Sequence, residues 1–164
     1  MKKWLFLLLL PLMASCLGQQ SLKEVLDLHN KESVPYIQVS ELAKERELVL
    51  LDARESEEFE VSHLKNAQWI GYDQFDLDKF LARYPDKNTS LVVYCSIGVR
   101  SEDIGEQLLE AGYTNVQNLY GGIFEWKNKG YPVVDSKEVK TEKVHAYSKY
   151  WGRLLTNAEK VYTP

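Results

Sequence analysis

Short apolar runs alternate with amphipathic segments along the middle of the chain, and turn-forming residues separate them. The runs with the length and the β-branched or aromatic content of buried strands are 35–39, 48–51, 67–70, 91–94 and 115–119. The segments with helical spacing or a helix start signal are 40–46, 56–59, 73–84, 102–113 and 121–126. This alternation predicts an α/β fold in which helices flank a small parallel sheet on both faces.

The first 32 residues do not follow this pattern. A basic start precedes an apolar run from Trp4 to Ala14 that is too short to span a bilayer, so residues 1–15 are predicted to be an export signal. The segment Met13-Ala14-Ser15-Cys16 resembles a bacterial lipobox, and lipid on Cys16 would hold the protein on a membrane in the cell envelope or periplasm. Ordinary signal cleavage, a retained membrane anchor and a simple N-terminal helix are the alternatives. Residues 16–32 are interpreted as a tether that ends in a short helix and spaces the domain from the membrane.

The domain itself is expected to occupy residues 33–134, because the composition turns polar beyond that point. Apolar residues then recur at helical intervals, which predicts that residues 135–164 form a helical C-terminal extension packed on the domain. A helix that binds a partner protein is the alternative. A chain of 164 residues suits one domain with such extensions.

The charge pattern excludes one class of partner. The formal net charge is −4, and it becomes −6 if Lys2 and Lys3 leave with the signal peptide. Lysine and arginine residues are scattered among acidic ones and form no basic stripe, so nucleic acid is not an expected partner. No metal is predicted either, since His29, His63 and His145 are far apart and have no metal-ligand spacing.

Cys95 is the candidate for chemistry. It follows the strand 91–94 and precedes a loop that contains Gly98 and Arg100 and leads into a helix. Loop amides and the positive end of the helix dipole favour an anion here, which stabilises a thiolate, and Gly98 allows the loop to curl inward. A packing role is the ordinary explanation for a cysteine after an apolar strand, but it does not account for this loop. We therefore interpret Cys95 as a nucleophile, and as the only free cysteine if Cys16 is modified.

The segment Cys95-Ser96-Ile97-Gly98-Val99-Arg100-Ser101 resembles the active-site loop of the rhodanese-like sulfurtransferases, Cys-x-x-Gly-x-Arg-Ser. The resemblance covers roughly residues 33–134. The other similar motifs are Leu51-Asp52-Ala53-Arg54 (Asp-x-Arg), Glu58-Phe59 (acid and aromatic), Ser62-His63-Leu64 (Gly-His-Ile) and Gly121-Gly122-Ile123-Phe124-Glu125-Trp126 (Gly-Gly-x-x-x-Trp). Ser62 stands where glycine is usual, which affects only a local turn.

Sulfur transfer is the reaction that this resemblance implies. The Cys95 thiolate would take sulfane sulfur from a small donor such as thiosulfate and pass it to a thiol or cyanide acceptor, through a persulfide and without a dissociable cofactor. Arg100 would hold the anionic end of the donor. The loop residues whose amides would bind the anionic sulfur are Ser96, Ile97, Gly98, Val99, Arg100 and Ser101. A protein acceptor is left open.

Three further family positions are expected to support the structure without touching substrate. Asp52 and Arg54 are interpreted as a charge pair that ties loops together at a strand end. Parallel strands place Asp52 on the same sheet edge as Cys95. His63 is interpreted as a hydrogen-bonded surface residue in a turn, with general-base catalysis as the alternative.

Two other classes of function fit parts of the pattern. Phosphatases and arsenate reductases also bind an oxyanion in a Cys-to-Arg loop, but the related phosphatases use Cys-x5-Arg, and the spacing from Cys95 to Arg100 is one residue shorter. A smaller ring of amides fits sulfur better than a phosphoryl group. A non-catalytic binding module in the cell envelope is the other alternative, because one fold can host many functions.

Overall fold

The computed structural model describes residues 20–162, so the predicted signal peptide and Cys16 lie outside the described residues. The helices are α1 (Leu22–His29), α2 (Val39–Leu42), α3 (Ser56–Val61), α4 (Leu77–Arg83), α5 (Arg100–Glu110), α6 (Gly122–Asn128) and a 3₁₀ helix (Trp151–Leu154). The strands are β1 (Tyr36–Ile37), β2 (Val49–Asp52), β3 (Gln68–Trp69), β4 (Leu91–Tyr94), β5 (Val116–Leu119), β6 (Val133–Val134), β7 (Lys140–Thr141), β8 (Lys143–His145) and β9 (Glu159–Val161). Within residues 20–162 no helix has the length and apolar character needed to cross a membrane.

Five parallel strands form the central sheet, in the order β1-β5-β4-β2-β3. All four residues of the middle strand β4 are buried, because helices cover both faces of the sheet. Leu91 and Val93 belong to one apolar cluster, and Val92 and Tyr94 belong to the other, as the alternation of side chains along a strand requires. The predicted α/β fold with a small parallel sheet is confirmed.

The register of β2 and β4 positions the site. Asp52 at the end of β2 pairs with Tyr94 at the end of β4, and Cys95 is the next residue. The carboxyl ends of parallel strands are where open α/β sheets bind ligands. The sheet therefore places Asp52 and Cys95 on one edge, as the sequence predicted.

The helix predicted within residues 16–32 forms, but it does not act as a spacer. α1 begins with a capping box, in which the Ser21 side chain accepts a hydrogen bond from the Glu24 amide. Val25 and Leu26 are buried against the domain, and Asn30 at its C-terminal end donates a 2.8 Å hydrogen bond to the Gly98 carbonyl. The tether interpretation is therefore wrong for this helix, since its apolar stripe is part of the core.

The C-terminal extension packs on the domain as expected, but its predicted α-helix is wrong. β6 and β7 pair in antiparallel fashion, and β8 and β9 pair in parallel. Within residues 135–162 the short 3₁₀ helix is the only helical segment. Val144 and Leu155 are fully buried in the same cluster as the domain core. Tyr147 has a φ of +61°, which breaks any helical path between them. Packing against the domain decides the local structure here and overrides the helical spacing.

Candidate active site

Cys95 lies at the end of β4, with only 1% of its surface exposed. The Gly98 amide donates a 3.1 Å hydrogen bond to Cys95 Sγ. Gly98 has a φ of +112°, which a residue with a side chain rarely adopts, and this conformation turns its amide back toward the sulfur. The sequence prediction that Gly98 lets the loop curl around Cys95 agrees with this geometry.

The carbonyl groups of the loop are bonded away from the sulfur. The Cys95 carbonyl accepts a 3.0 Å hydrogen bond from the Ile123 amide, and the Ser96 carbonyl accepts a 3.1 Å hydrogen bond from the Phe124 amide. Both amides belong to the first turn of α6, where helix amides have no partner within the helix. A Cβ atom on Gly122 would lie 2.2 Å from the Cys95 carbonyl oxygen, so only glycine permits this approach. The glycine pair at residues 121–122 thus has a direct role in shaping the cysteine loop.

Two asparagine side chains fix the far end of the loop. Asn30 and Asn118 each donate a 2.8 Å hydrogen bond to the Gly98 carbonyl. Asn118 also accepts a 2.8 Å hydrogen bond from the Ser101 hydroxyl. Ser101 is fully buried and engaged in this contact, so its hydroxyl supports the loop from behind. Neither asparagine was identified from the sequence, although a buried asparagine in an apolar strand such as β5 is a usable signal.

Arg100 is paired with Glu58, which the sequence analysis treated only as part of a family motif. The guanidinium donates two hydrogen bonds to the Glu58 carboxylate, at 2.7 and 2.9 Å. Burial disfavours the charged form of Arg100, but the hydrogen bonds with Glu58 and the nearby Cys95 outweigh it and hold the pKa of Arg100 above its ordinary value. Burial likewise works to raise the pKa of Glu58, and the hydrogen bond and charge of Arg100 hold it below its usual range. The charge expected to hold a donor is thus already neutralised within the protein.

Ser96 connects this pair to the cysteine loop. Its hydroxyl donates a 3.0 Å hydrogen bond to Glu58 and accepts a 3.0 Å hydrogen bond from Arg100. Ser96 is 5% exposed. The ion pair therefore holds the first residue after Cys95 in place.

Asp52 and Arg54 form the expected charge pair. Arg54 Nη2 lies 2.6 Å from an Asp52 carboxylate oxygen, both side chains are fully buried, and Arg54 also donates a 2.7 Å hydrogen bond to the Ser62 carbonyl. His63 differs from its prediction as a surface residue, because it is 2% exposed and its ring stacks on Phe59 with a centroid distance of 3.8 Å. Its ring nitrogens are 3.0 Å from the Phe59 carbonyl oxygen and 3.2 Å from a Glu138 carboxylate oxygen. The Phe59 ring and the backbone pairing of His63 with Val134 bury it.

The sulfur opens onto a pocket of about 150 Å³, called here the Cys95 pocket. Its lining consists of Cys95, Ser96, Ile97, Val99 and Arg100 from the loop, with His29, Tyr147 and Trp151 from the flanking segments. His63, Asp52 and Arg54 are not part of this lining. Among residues 20–162 no three histidine, cysteine or acidic side chains are placed to hold a metal ion. The arrangement can therefore hold an anionic sulfur at Cys95 and admit one small molecule above it.

Comparison with known proteins matches this region to one family. The family model for the rhodanese-like domain matches residues 37–129. The chain is 29% identical over 96 residues to the thiosulfate sulfurtransferase GlpE of Coxiella burnetii, which covers 58% of this chain and 87% of that protein. It is 33% identical over 101 residues to the tRNA uridine(34) hydroxylase of Hamiltonella defensa, a match to 60% of this chain and 28% of that protein.

Solved structures give the same result for the fold. A rhodanese-related protein from Thermoplasma volcanium superposes with a TM-score of 0.53 at 27% identity, over 61% of this chain and 97% of that one. A thiosulfate sulfurtransferase from Pseudomonas aeruginosa superposes with a TM-score of 0.57 at 22% identity, over 74% of this chain and 23% of that one. Since the family model covers more than half of the chain and includes the whole cysteine loop, the protein belongs to the rhodanese-like domain family.

Proposed function

We propose that the protein is a sulfurtransferase that carries sulfane sulfur on Cys95. The observation that carries this proposal is the Gly98 amide 3.1 Å from Cys95 Sγ, in a loop whose carbonyls at Cys95 and Ser96 are bonded to α6. Such a loop presents the Gly98 amide to the sulfur as a hydrogen-bond donor, while its Cys95 and Ser96 carbonyls are engaged elsewhere. Donors placed around a reacting atom stabilise the negative charge of a thiolate and of the persulfide anion formed from it.

The reaction has two half-reactions. In the first, the Cys95 thiolate attacks the outer sulfur of a donor such as thiosulfate, an S–S bond forms on Cys95, and sulfite leaves with the electron pair of the broken S–S bond. In the second, a thiol or cyanide attacks the outer sulfur of the persulfide, and the Cys95 thiolate leaves. The sequence has one other cysteine, Cys16, so residues 17–164 provide no second thiol to discharge the persulfide internally. The persulfide is expected to persist until an external acceptor arrives.

Steady-state kinetics with thiosulfate and cyanide test this proposal. We expect parallel double-reciprocal plots, which are typical of a ping-pong mechanism, and no turnover with Cys95→Ser. Intersecting plots would mean that donor and acceptor bind together and that Cys95 is not a covalent carrier. Faster turnover of an aryl phosphate than of thiosulfate would favour the phosphatase alternative.

A second proposal concerns location and rests on the sequence pattern of residues 1–16 alone. We propose that Cys16 is lipidated and attaches the protein to a membrane of the cell envelope. The wild-type protein should then partition with membranes, and Cys16→Ser should be released or remain unprocessed. If the variant fractionates like the wild type and has the same mass, this proposal is wrong.

A further inference from the structure

Part of the wall of the Cys95 pocket comes from outside the matched family region of residues 37–129. His29 lies at the end of α1, and Tyr147 and Trp151 belong to the C-terminal extension. The His29 and Trp151 rings meet edge to face, with their centroids 5.5 Å apart. We call these three residues the aromatic cover. The loop that holds the sulfur is thus a family feature, whereas the surface that faces it belongs to the flanking segments of this chain.

Tyr147 is held in an unfavourable backbone conformation at this cover. Its φ of +61° lies in the left-handed region, which bulky residues rarely occupy. Its amide donates a 3.3 Å hydrogen bond to His145 Nδ1, and its ring lies 5.1 Å from the guanidinium carbon of Arg100. Half of its surface is exposed, so burial does not explain the conformation. The strained backbone places an aromatic ring at the mouth of the pocket.

The charge balance of the pocket disfavours a dianionic ligand. Arg100 is the one lysine or arginine among the described residues that line it. Its guanidinium already makes two hydrogen bonds with the Glu58 carboxylate. A doubly charged donor such as thiosulfate would therefore enter without an unpaired arginine or lysine to balance its second charge, and burial of an unbalanced charge is unfavourable. The aromatic cover and the side chains of Ile97 and Val99 offer apolar surface instead.

The volume of the pocket suggests the size of the group that it accepts. It measures about 150 Å³, and an apolar cavity of about this volume in another protein binds benzene. A donor whose apolar group is about that size would therefore match the pocket.

We propose that the sulfur donor is an organic sulfane sulfur compound with an apolar group about the size of a benzene ring, such as a thiosulfonate or an organic persulfide, and that the aromatic cover selects it. This inference rests on the proposed sulfur transfer and names the substrate class for it. The Cys95 thiolate attacks the outer sulfur of the donor, an S–S bond to Cys95 forms, and the S–S bond of the donor breaks. The electron pair leaves on the organic sulfinate or thiolate, which carries the apolar group.

A matched pair of donors tests the inference, namely benzenethiosulfonate and methanethiosulfonate, with cyanide as the acceptor. For the wild type we expect kcat/KM to be at least roughly tenfold higher for the phenyl donor, equivalent to about 1.4 kcal/mol, after correction for the reactivity of each donor toward free cysteine. In Trp151→Ala and in Tyr147→Asn, this ratio should fall below about threefold because apolar contact is lost. Asparagine tolerates the left-handed backbone at position 147, so that variant removes the ring without adding strain.

Two variants serve as controls. They are Leu28→Ala, beside His29, and Val139→Ala, in the C-terminal extension. Both side chains are exposed and neither lines the pocket. Both controls should keep the wild-type ratio. If Trp151→Ala fails to fold, Tyr147→Asn decides the question, because the Tyr147 side chain is half exposed.

The outcomes separate this inference from the proposed function. A wild-type ratio near one, or an unchanged ratio in the folded variants of the aromatic cover, overturns the selectivity and leaves sulfur transfer standing. If thiosulfate, methanethiosulfonate and benzenethiosulfonate all fail to place sulfur on Cys95, the proposed function itself fails.

Discussion

Two acidic side chains are paired with arginines near the carboxyl edge of the sheet, and the pairs differ in what else they contact. Asp52 and Arg54 are both fully buried, and Arg54 continues to the Ser62 carbonyl. Glu58 and Arg100 have side chains that are 3% and 17% exposed, and both bond to the Ser96 hydroxyl beside Cys95. The first pair thus connects two parts of the framework, whereas the second pair connects to Ser96, the residue that follows Cys95.

Because of this difference, we expect the two acid–arginine pairs to have different roles, one in stability and the other in activity. A fully buried ion pair contributes little net stability, but removal of one partner is costly because the other charge is left unpaired. The second pair is partly exposed and bonds to Ser96 beside Cys95, so we expect it to act mainly by positioning the cysteine loop. We therefore expect variants of the first pair to reduce stability and variants of the second to reduce turnover.

The largest effect is expected for Arg54→Met. This change leaves the Asp52 carboxylate buried without its partner and should lower the free energy of unfolding by about 3–5 kcal/mol. Urea denaturation measures the loss. Arg100→Met serves as the matched variant and should cost less, since its side chain reaches solvent and Glu58 keeps hydrogen bonds from Ser96 and the Glu55 amide. Equal losses in the two variants would contradict the comparison.

Arg100→Lys should affect turnover more than stability. Lysine keeps the charge but cannot reproduce the two parallel hydrogen bonds to Glu58, so Ser96 and the cysteine loop lose their fixed position. We expect kcat/KM for sulfur transfer to fall by roughly 10- to 100-fold, the scale of a small misplacement of reacting groups. The exposed Arg83→Lys variant controls for the substitution itself and should behave like the wild type. Unchanged turnover in Arg100→Lys would show that the paired hydrogen bonds of Arg100 do not position the cysteine loop.

The smallest effect concerns the dependence of stability on pH. The pKa of Glu58 is lower in the folded protein than its usual value of about 4.3. Its carboxylate therefore stabilises the fold above that value, and this contribution is lost as the pH falls through the lower pKa of the folded state. Wild type should be more stable than Glu58→Gln near pH 7, and urea denaturation should show the difference shrinking below about pH 4. If the stability difference between wild type and Glu58→Gln grew as the pH fell, the pKa of Glu58 would be raised by folding, and this prediction would be wrong.

The sequence predicted the central strand and the glycine positions of the cysteine loop well, because short stretches of the chain identify these features. β4 spans the predicted residues 91–94, and Gly98 and the glycine pair at 121–122 mark positions where the backbone has little freedom. Residue type and spacing are sufficient to identify such features. The pairing of Asp52 with Arg54 was accessible for the same reason, since the two are only two residues apart at the end of β2.

The remaining features depend on contacts between distant segments. Glu58 meets Arg100 across 42 positions, and Asn30 reaches Gly98 across 68. Nothing in the local pattern around either partner identifies the other. The helical prediction for the extension was wrong because the helical spacing of its apolar residues reflects their contacts with the domain. The left-handed backbone at Tyr147, which interrupts a helix, has no sequence signature.

Mass spectrometry of the intact protein tests the central claim most directly. After incubation with thiosulfate or benzenethiosulfonate and removal of the donor, the wild-type mass should increase by one sulfur atom, and peptide analysis should place that sulfur on Cys95. Cyanide or dithiothreitol should remove the added mass, and Cys95→Ser should never acquire it. An unchanged mass while sulfur transfer proceeds, or the same gain in Cys95→Ser, would contradict a persulfide carried on Cys95.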